Sequence, residues 1–167
     1  MRVLVSDTSV LIDLERGDLL EAAFSLRYQF VVPDVLFHRE LTGELGHRLT
    51  GLGLVVAELP GAEIEKALFY RRSHPALSVT DAFALVLAGE RGWTLLTGDA
   101  VLRRVAERNG VDCHGLLWLL DELESAGVAP RVLRDGLRAI AEHPRCRLPR
   151  TEIRMRLRRY AARIGGS

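Results

Sequence analysis

A chain of 167 residues, 48% hydrophobic and 27% charged, has the length and composition of one soluble globular domain with a sizeable core. No apolar run approaches the ~20 residues of a membrane span. The N-terminal Val3-Leu4-Val5 is too short for a signal-peptide core, and two cysteines make no disulfide scaffold, so a cytoplasmic protein without a membrane partner is expected. The net charge of +1 conceals a split: residues 1–130 carry 12 basic and 19 acidic side chains, a net of −7, and residues 131–167 carry 11 arginines and 3 acids, a net of +8. A basic tail on an acidic body points to a polyanion or an acidic partner; a solvated helix face is the plainer alternative.

In chain order, residues 2–6 read as a strand that stops at Ser6-Asp7-Thr8-Ser9, with a helix over 8–15. Leu19 to Phe24 forms a short helical turn, and Phe30-Val31-Val32 a second strand. Pro33 suits the first turn of a helix running from about Asp34 to Leu41. Gly43, Gly46, Gly51 and Gly53 predict a loose surface excursion. Leu54-Val55-Val56 is the third strand, and Glu63 to Arg72 is a helix with Ile64, Ala67 and Leu68 on one side. Ser78 predicts an N-cap with Asp81 three residues on, opening a buried helix over Val79 to Glu90. Trp93 to Leu96 is a strand, Thr97-Gly98-Asp99 a turn, Ala100 to Arg108 a helix, and Val111 to Cys113 the last strand. Three helices follow: Leu116 to Ser125, Val132 to Glu142, and Thr151 to Ile164. The last has an apolar stripe of Ile153, Leu157, Tyr160 and Ile164. Strands alternating with helices of this length predict βαβ units and a parallel sheet.

The carboxylates carry the functional reading. Asp7 and Asp99 each stand between a strand and a helix, where ligands of open α/β sheets collect. Both are also good N-caps, and Asp81 is a capping-box residue, so a purely structural role is open to all three. Helical spacing puts Glu40 between Leu36 and Phe37, inside an apolar arc that Leu41 closes. A glutamate on a buried face is paired or binds something, and Arg39 and His38 are possible partners. Together Asp7, Glu40, Asp81 and Asp99 describe an acidic pocket at the carboxyl edge of a sheet, suited to a hard divalent cation. Cys113-His114 and His143 with Cys146 could in principle make a zinc site, but their spacing matches no compact zinc pattern.

On four stretches the chain resembles the PIN-domain family, in particular the VapC-like toxin ribonucleases of toxin–antitoxin pairs. These are Val5-Ser6-Asp7-Thr8-Ser9-Val10-Leu11-Ile12; Val31-Val32-Pro33-Asp34-Val35 through Arg39-Glu40-Leu41; Thr80-Asp81-Ala82-Phe83-Ala84-Leu85; and Leu95-Leu96-Thr97-Gly98-Asp99. The helix after Asp99 and the start at Gly115-Leu116-Leu117 are similar to a subgroup with a longer C-terminal helical part. The likeness covers about residues 2–120. It implies a three-layer α/β/α fold with a central, mostly parallel sheet. Residues 1–120 would form a nuclease domain, and 121–167 an Arg-rich helical extension packed on it.

It further implies metal-dependent hydrolysis of RNA phosphodiester bonds. Asp7, Glu40, Asp81 and Asp99 would hold Mg²⁺ or Mn²⁺, and Ser9 and Thr97 would orient the acids or a water. An RNA substrate, a cognate antitoxin and a homodimer are the implied partners. Arg150, Arg154, Arg158 and Arg159 fall off the apolar stripe and are candidates for the RNA backbone. Other readings are an RNA-processing nuclease that is not a toxin and a PIN-like scaffold without turnover. A receiver-like or phosphatase-like domain is disfavoured: Ser9 stands where a phosphatase expects a second acid, and no lysine follows Lys66.

Overall fold

The structure is a computed structural model and describes residues 1–166; Ser167, the end of the Arg-rich segment, lies outside the described residues. Five parallel strands form one sheet. β1 (Arg2–Ser6) is central, flanked by β2 (Tyr28–Pro33) and β4 (Thr94–Leu96), with β3 (Val55–Ala57) and β5 (Cys113–His114) at the edges, in the order β3-β2-β1-β4-β5. The chain winds outward from β1 to β3, then crosses to the far side of β1 for β4 and β5. The strand order therefore reverses between β1 and β4, and the crevice beyond their carboxyl ends is where such sheets bind ligands.

Alternation along the strands gives the sheet two buried faces. Leu4, Phe30, Val32 and Leu96 face one core, shared with α1 (Thr8–Arg16), α2 (Leu20–Phe24), α8 (Leu116–Ser125), α9 (Pro130–Glu142) and α10 (Arg150–Gly165). Val5, Val31 and Leu95 face the other, shared with α5 (Gly61–Ser73), α6 (Val79–Arg91) and α7 (Ala100–Arg108). The result is the three-layer α/β/α arrangement, with Leu133, Leu137, Ile140, Ile153 and Tyr160 of the C-terminal helices in the same core cluster as Leu4 and Leu11. α9 comes close to α1 because Gly136 has no side chain: a Cβ there would lie 2.8 Å from the Gly17 carbonyl oxygen.

Three local expectations change. The glycine-rich stretch is not a loose excursion but helix α4 (Glu44–Gly51), whose Gly46 packs so tightly that a Cβ would lie 1.8 Å from the Leu41 carbonyl oxygen. The apolar side of α5 is only partly covered: Ala67 is buried, but Leu68 is 43% and Phe69 58% exposed. The last strand, predicted over Val111 to Cys113, begins two residues later and is confined to Cys113–His114. Among the described residues no helix is long and apolar enough to cross a membrane.

Candidate active site

Asp7 leaves the end of β1 and immediately caps α1, its Oδ1 accepting from Val10 N at 3.1 Å. Its backbone N–H donates to the Leu96 carbonyl at 2.9 Å, which ties the end of β1 to that of β4. Asp99 repeats the geometry one strand over, capping α7 through Leu102 N at 2.9 Å. Asp81 closes the capping box of α6: Ser78 Oγ accepts from its backbone N–H at 3.0 Å, and its carboxylate accepts from Ser78 N at 3.1 Å. The last acid, Glu40, ends α3 (Asp34–Glu40).

All four line one cavity of about 300 Å³, together with Thr8, Ser9, Leu36 and Thr80. Capping and lining the cavity are thus compatible roles for one carboxylate. Glu40 differs from expectation in its surroundings. It is exposed at the mouth of the cavity rather than on a buried face, because the helix ends there and its last turn, His38 to Glu40, lies in solvent. Its carboxylate accepts from Thr8 Oγ1 at 2.8 Å and Thr80 Oγ1 at 3.4 Å. Neither His38 nor Arg39 bonds to it among the described residues.

Hydroxyl groups organise the rest. Ser9 Oγ donates to Asp7 Oδ1 at 2.8 Å, and Thr97 Oγ1 donates to Asp7 Oδ2. Thr97 Oγ1 also accepts from the backbone N–H of Asp99 at 3.0 Å, so one threonine fixes both strand-end acids. Arg103 holds the Thr97 carbonyl at 3.1 Å. Thr8, Thr80 and Arg103 were not singled out from sequence. The two threonines adjoin Asp7 and Asp81 directly, and that adjacency is the signal that could have found them.

Electrostatically the site is under tension. Burial foremost pushes the Asp7 carboxyl above the usual carboxylate range. The bonds from Thr97, Val10 and Ser9 pull it back only in part, and the Asp81 charge adds to the rise. Burial likewise raises Asp81 against the pull of Ser78, with Asp99 and Glu40 adding to it. Like charges near one another in a partly desolvated cavity favour either a proton or a cation. The donor set, carboxylates and hydroxyls, is all oxygen and suits a hard divalent cation. Among the described residues, no three His, Cys, Asp or Glu side chains stand close enough to grip a metal ion as they are now held. Each acid is instead occupied by the protein's own donors.

The other candidates lie elsewhere. Arg150 and Arg154 line a separate hollow with Ile153, and Arg158 is exposed. Arg159 is committed to Glu124 at 2.6 Å and Asp121 at 3.0 Å. None of these four arginines lines the acid cavity among the described residues. His114 stacks on Trp118 with ring centroids 4.3 Å apart, and burial pushes the Cys113 thiol up to about 11. His143 Nδ1 accepts from Arg145 N at 3.1 Å. These side chains are employed separately and build no zinc site among the described residues.

A family model, DUF3368, described as a PIN domain, matches residues 3–162, so it takes in the C-terminal helices as well. No curated protein matches the chain. Among solved structures, a PilT N-terminus domain protein from the hyperthermophilic archaeon Sulfolobus solfataricus P2 is similar at 15% identity. The match covers 77% of this chain and 95% of that one, with a TM-score of 0.49.

Proposed function

The chain belongs to the PIN-domain family, whose members are generally nucleases, and on that premise we propose that it is a metal-dependent endoribonuclease hydrolysing RNA phosphodiester bonds. The observation that carries the reading is the convergence of Asp7, Glu40, Asp81 and Asp99, from four separate elements, on one cavity at the β1/β4 switch point. These four would hold Mg²⁺ or Mn²⁺. Such a cation would supply Lewis-acid stabilisation of the charge that develops on the phosphate oxygens.

The chain's own residues do the positioning. Ser9 and Thr97 fix both oxygens of Asp7. The Thr97 bond to the Asp99 backbone sets the spacing of the two strand ends. Thr8 and Thr80 steer Glu40 over the mouth. A carboxylate held this way accepts a proton from an attacking water without losing its orientation, which is the requirement on a general base.

The test is cleavage of single-stranded RNA by the purified protein with Mn²⁺ or Mg²⁺. Activity is expected to disappear in EDTA and in Asp7→Asn; undiminished cleavage in either overturns the mechanism. A second reading, an RNA-binding module without turnover, is favoured by one observation: among the described residues no three acids stand close enough to grip a metal ion as they are now held. Binding of RNA without cleavage at any metal concentration would support it.

The toxin role within this proposal rests on the likeness of the four motifs to VapC-like proteins. It predicts growth arrest on expression and rescue by the product of a small adjacent gene encoding a DNA-binding antitoxin. Expression without arrest would leave a processing nuclease.

A further inference from the structure

A second cleft opens beside the acid cavity and shares its wall. It has a volume of about 290 Å³, and Ser9, Ile12 and Asp99 line both spaces. Along α1 the wall continues through Asp13 to Arg16. Ser9, Ile12, Asp13 and Arg16 follow the i, i+3, i+4, i+7 spacing of one helix face. From Ser9 to Arg16 that face runs about 10 Å. The acid end of the groove is therefore joined to a basic end by a single continuous surface.

The basic end is completed by Arg145 and Arg147, from the loop between α9 and α10. Along Arg145-Cys146-Arg147-Leu148 exposed and half-buried side chains alternate. Cys146 and Leu148 pack against the core, and both arginines are exposed. The loop is pinned by Cys146 N to the His143 carbonyl at 2.9 Å and by Arg145 N to His143 Nδ1 at 3.1 Å. Neither the Arg145 nor the Arg147 guanidinium has an ion-pair partner among the described residues. On α10, Arg156, Arg159 and Arg163 are paired, and Arg150 and Arg154, which have no ion pair among the described residues, line a hollow that shares no residue with the acid cavity. The one acid of the cleft outside the acid cavity, Asp13, is matched by Arg16 at 3.2 Å.

We propose that Arg145 and Arg147 hold the backbone phosphates of a single-stranded RNA flanking the bond that lies over the acid cavity, with Arg16 at the end of the groove. The identity of the strand rests on the nuclease reading; the anion site rests on the cleft. The strand then crosses the α9–α10 loop rather than the outer face of α10. Guanidinium forks suit phosphate oxygens, and two unpaired ones at a fixed spacing set the register of the strand over the carboxylates.

The experiment measures binding of a labelled single-stranded RNA oligonucleotide to the full-length protein by fluorescence anisotropy. It is done in EDTA between ~50 and 200 mM salt. Arg145→Gln/Arg147→Gln is expected to reduce the slope of log K against log salt by about 1.4, since each single-strand phosphate contact contributes about 0.7. Arg145→Lys/Arg147→Lys retains the slope, and Arg154→Gln/Arg158→Gln leaves slope and affinity as in the wild type. An unchanged slope in the first variant, equal losses in both glutamine pairs, or no binding by the wild type overturns the proposal. Thermal melts confirm that the exposed loop substitutions leave the fold intact. Cleavage assayed in parallel separates the two ideas. Binding that depends on Arg145 and Arg147 in a protein that never cleaves removes the nuclease reading alone. Cleavage by a protein whose salt slope ignores those arginines removes this proposal alone.

Discussion

The carboxyl edge of the sheet and the α8–α10 face are both dense in charge, and they handle it in opposite ways. Around Asp7, acids face acids, and only hydroxyls and backbone N–H groups stand between them. On the side of α10 that faces α8, charges meet their opposites. Arg156 bonds to Asp121 at 2.7 Å and Glu152 at 2.8 Å, and Arg159 and Arg163 both close on Glu124. The second pattern is what a stable fold selects. The first lowers stability unless something outside the chain is bound, and that supports the proposed site. Arginine content alone would have pointed to α10.

The sharpest way to break this comparison is to neutralise one member of each region. Asp81→Asn or Asp99→Asn is expected to lower RNA cleavage by on the order of a hundredfold or more, since an acid that shapes transition-state electrostatics contributes several kcal/mol. Arg156→Ala is expected to leave cleavage per folded molecule unchanged. Single-turnover assays on the three proteins decide it, and equal losses would erase the distinction.

Next in size is stability. The Arg156 side chain is only 11% exposed and is the most enclosed of the α10 arginines in ion pairs. Removing it leaves Glu152 without its partner and Asp121 with Arg159 alone. A charged hydrogen bond of this kind contributes about 2 kcal/mol, and for a chain of this length Tm should fall by roughly 4–8 °C. Arg159, at 44% exposure, should matter far less. Differential scanning calorimetry of Arg156→Ala and Arg159→Ala tests the order; a reversed order would contradict the packing.

Asp7 should move the other way. Its carboxyl is raised in the fold, so the native state holds the proton more tightly than the unfolded chain does. The stability it permits is complete below the ordinary carboxylate range and declines as pH rises through the folded pKa. Asp7→Asn keeps a good helix cap and removes the charge. In EDTA at neutral pH it is expected to melt a few degrees above wild type, with the gap closing near pH 4. Mn²⁺ should raise the wild-type Tm and narrow the gap, because a ligand that binds only the native state stabilises it. A wild type indifferent to Mn²⁺, or an Asn protein that melts lower, would weaken the metal reading without any assay of activity.

Most of the fold was legible because the strands are short apolar runs, several helices have apolar stripes, and α1, α6 and α7 have clear side-chain caps. Asp7, Ser78 and Asp99 cap where local chemistry places them. The errors have physical causes. Glycine count suggested a loop at 43–53, but Gly46 is there for a close approach inside a helix, which composition does not distinguish from flexibility. Periodicity put Glu40 inside an apolar arc, but the last turn of the helix, His38 to Glu40, stands clear of the core. The convergence of the four acids followed from strand order, which the sequence suggests only through the βαβ pattern. Arg145 and Arg147 were invisible because a loop carries no period to mark its faces; only the packing of Cys146 and Leu148 turns them outward.

The smallest effect sharpens the α10 side from within. Tyr160 is fully buried, and its hydroxyl has no hydrogen-bond partner among the described residues. The Arg159 guanidinium lies 5.7 Å from its ring centroid and is held there by Glu124 and Asp121. The ring therefore contributes packing and a cation–π contact, and its oxygen contributes an unmet desolvation cost. Tyr160→Phe keeps the ring and deletes the oxygen. It should be neutral or stabilising by up to ~1 kcal/mol, whereas Tyr160→Leu, which loses the ring as well, should destabilise. Urea denaturation of the two variants separates the contributions. A loss of stability in Tyr160→Phe would mean that the hydroxyl has a bound water as partner, and that the ion-paired face, like the acidic edge, depends on something outside the chain.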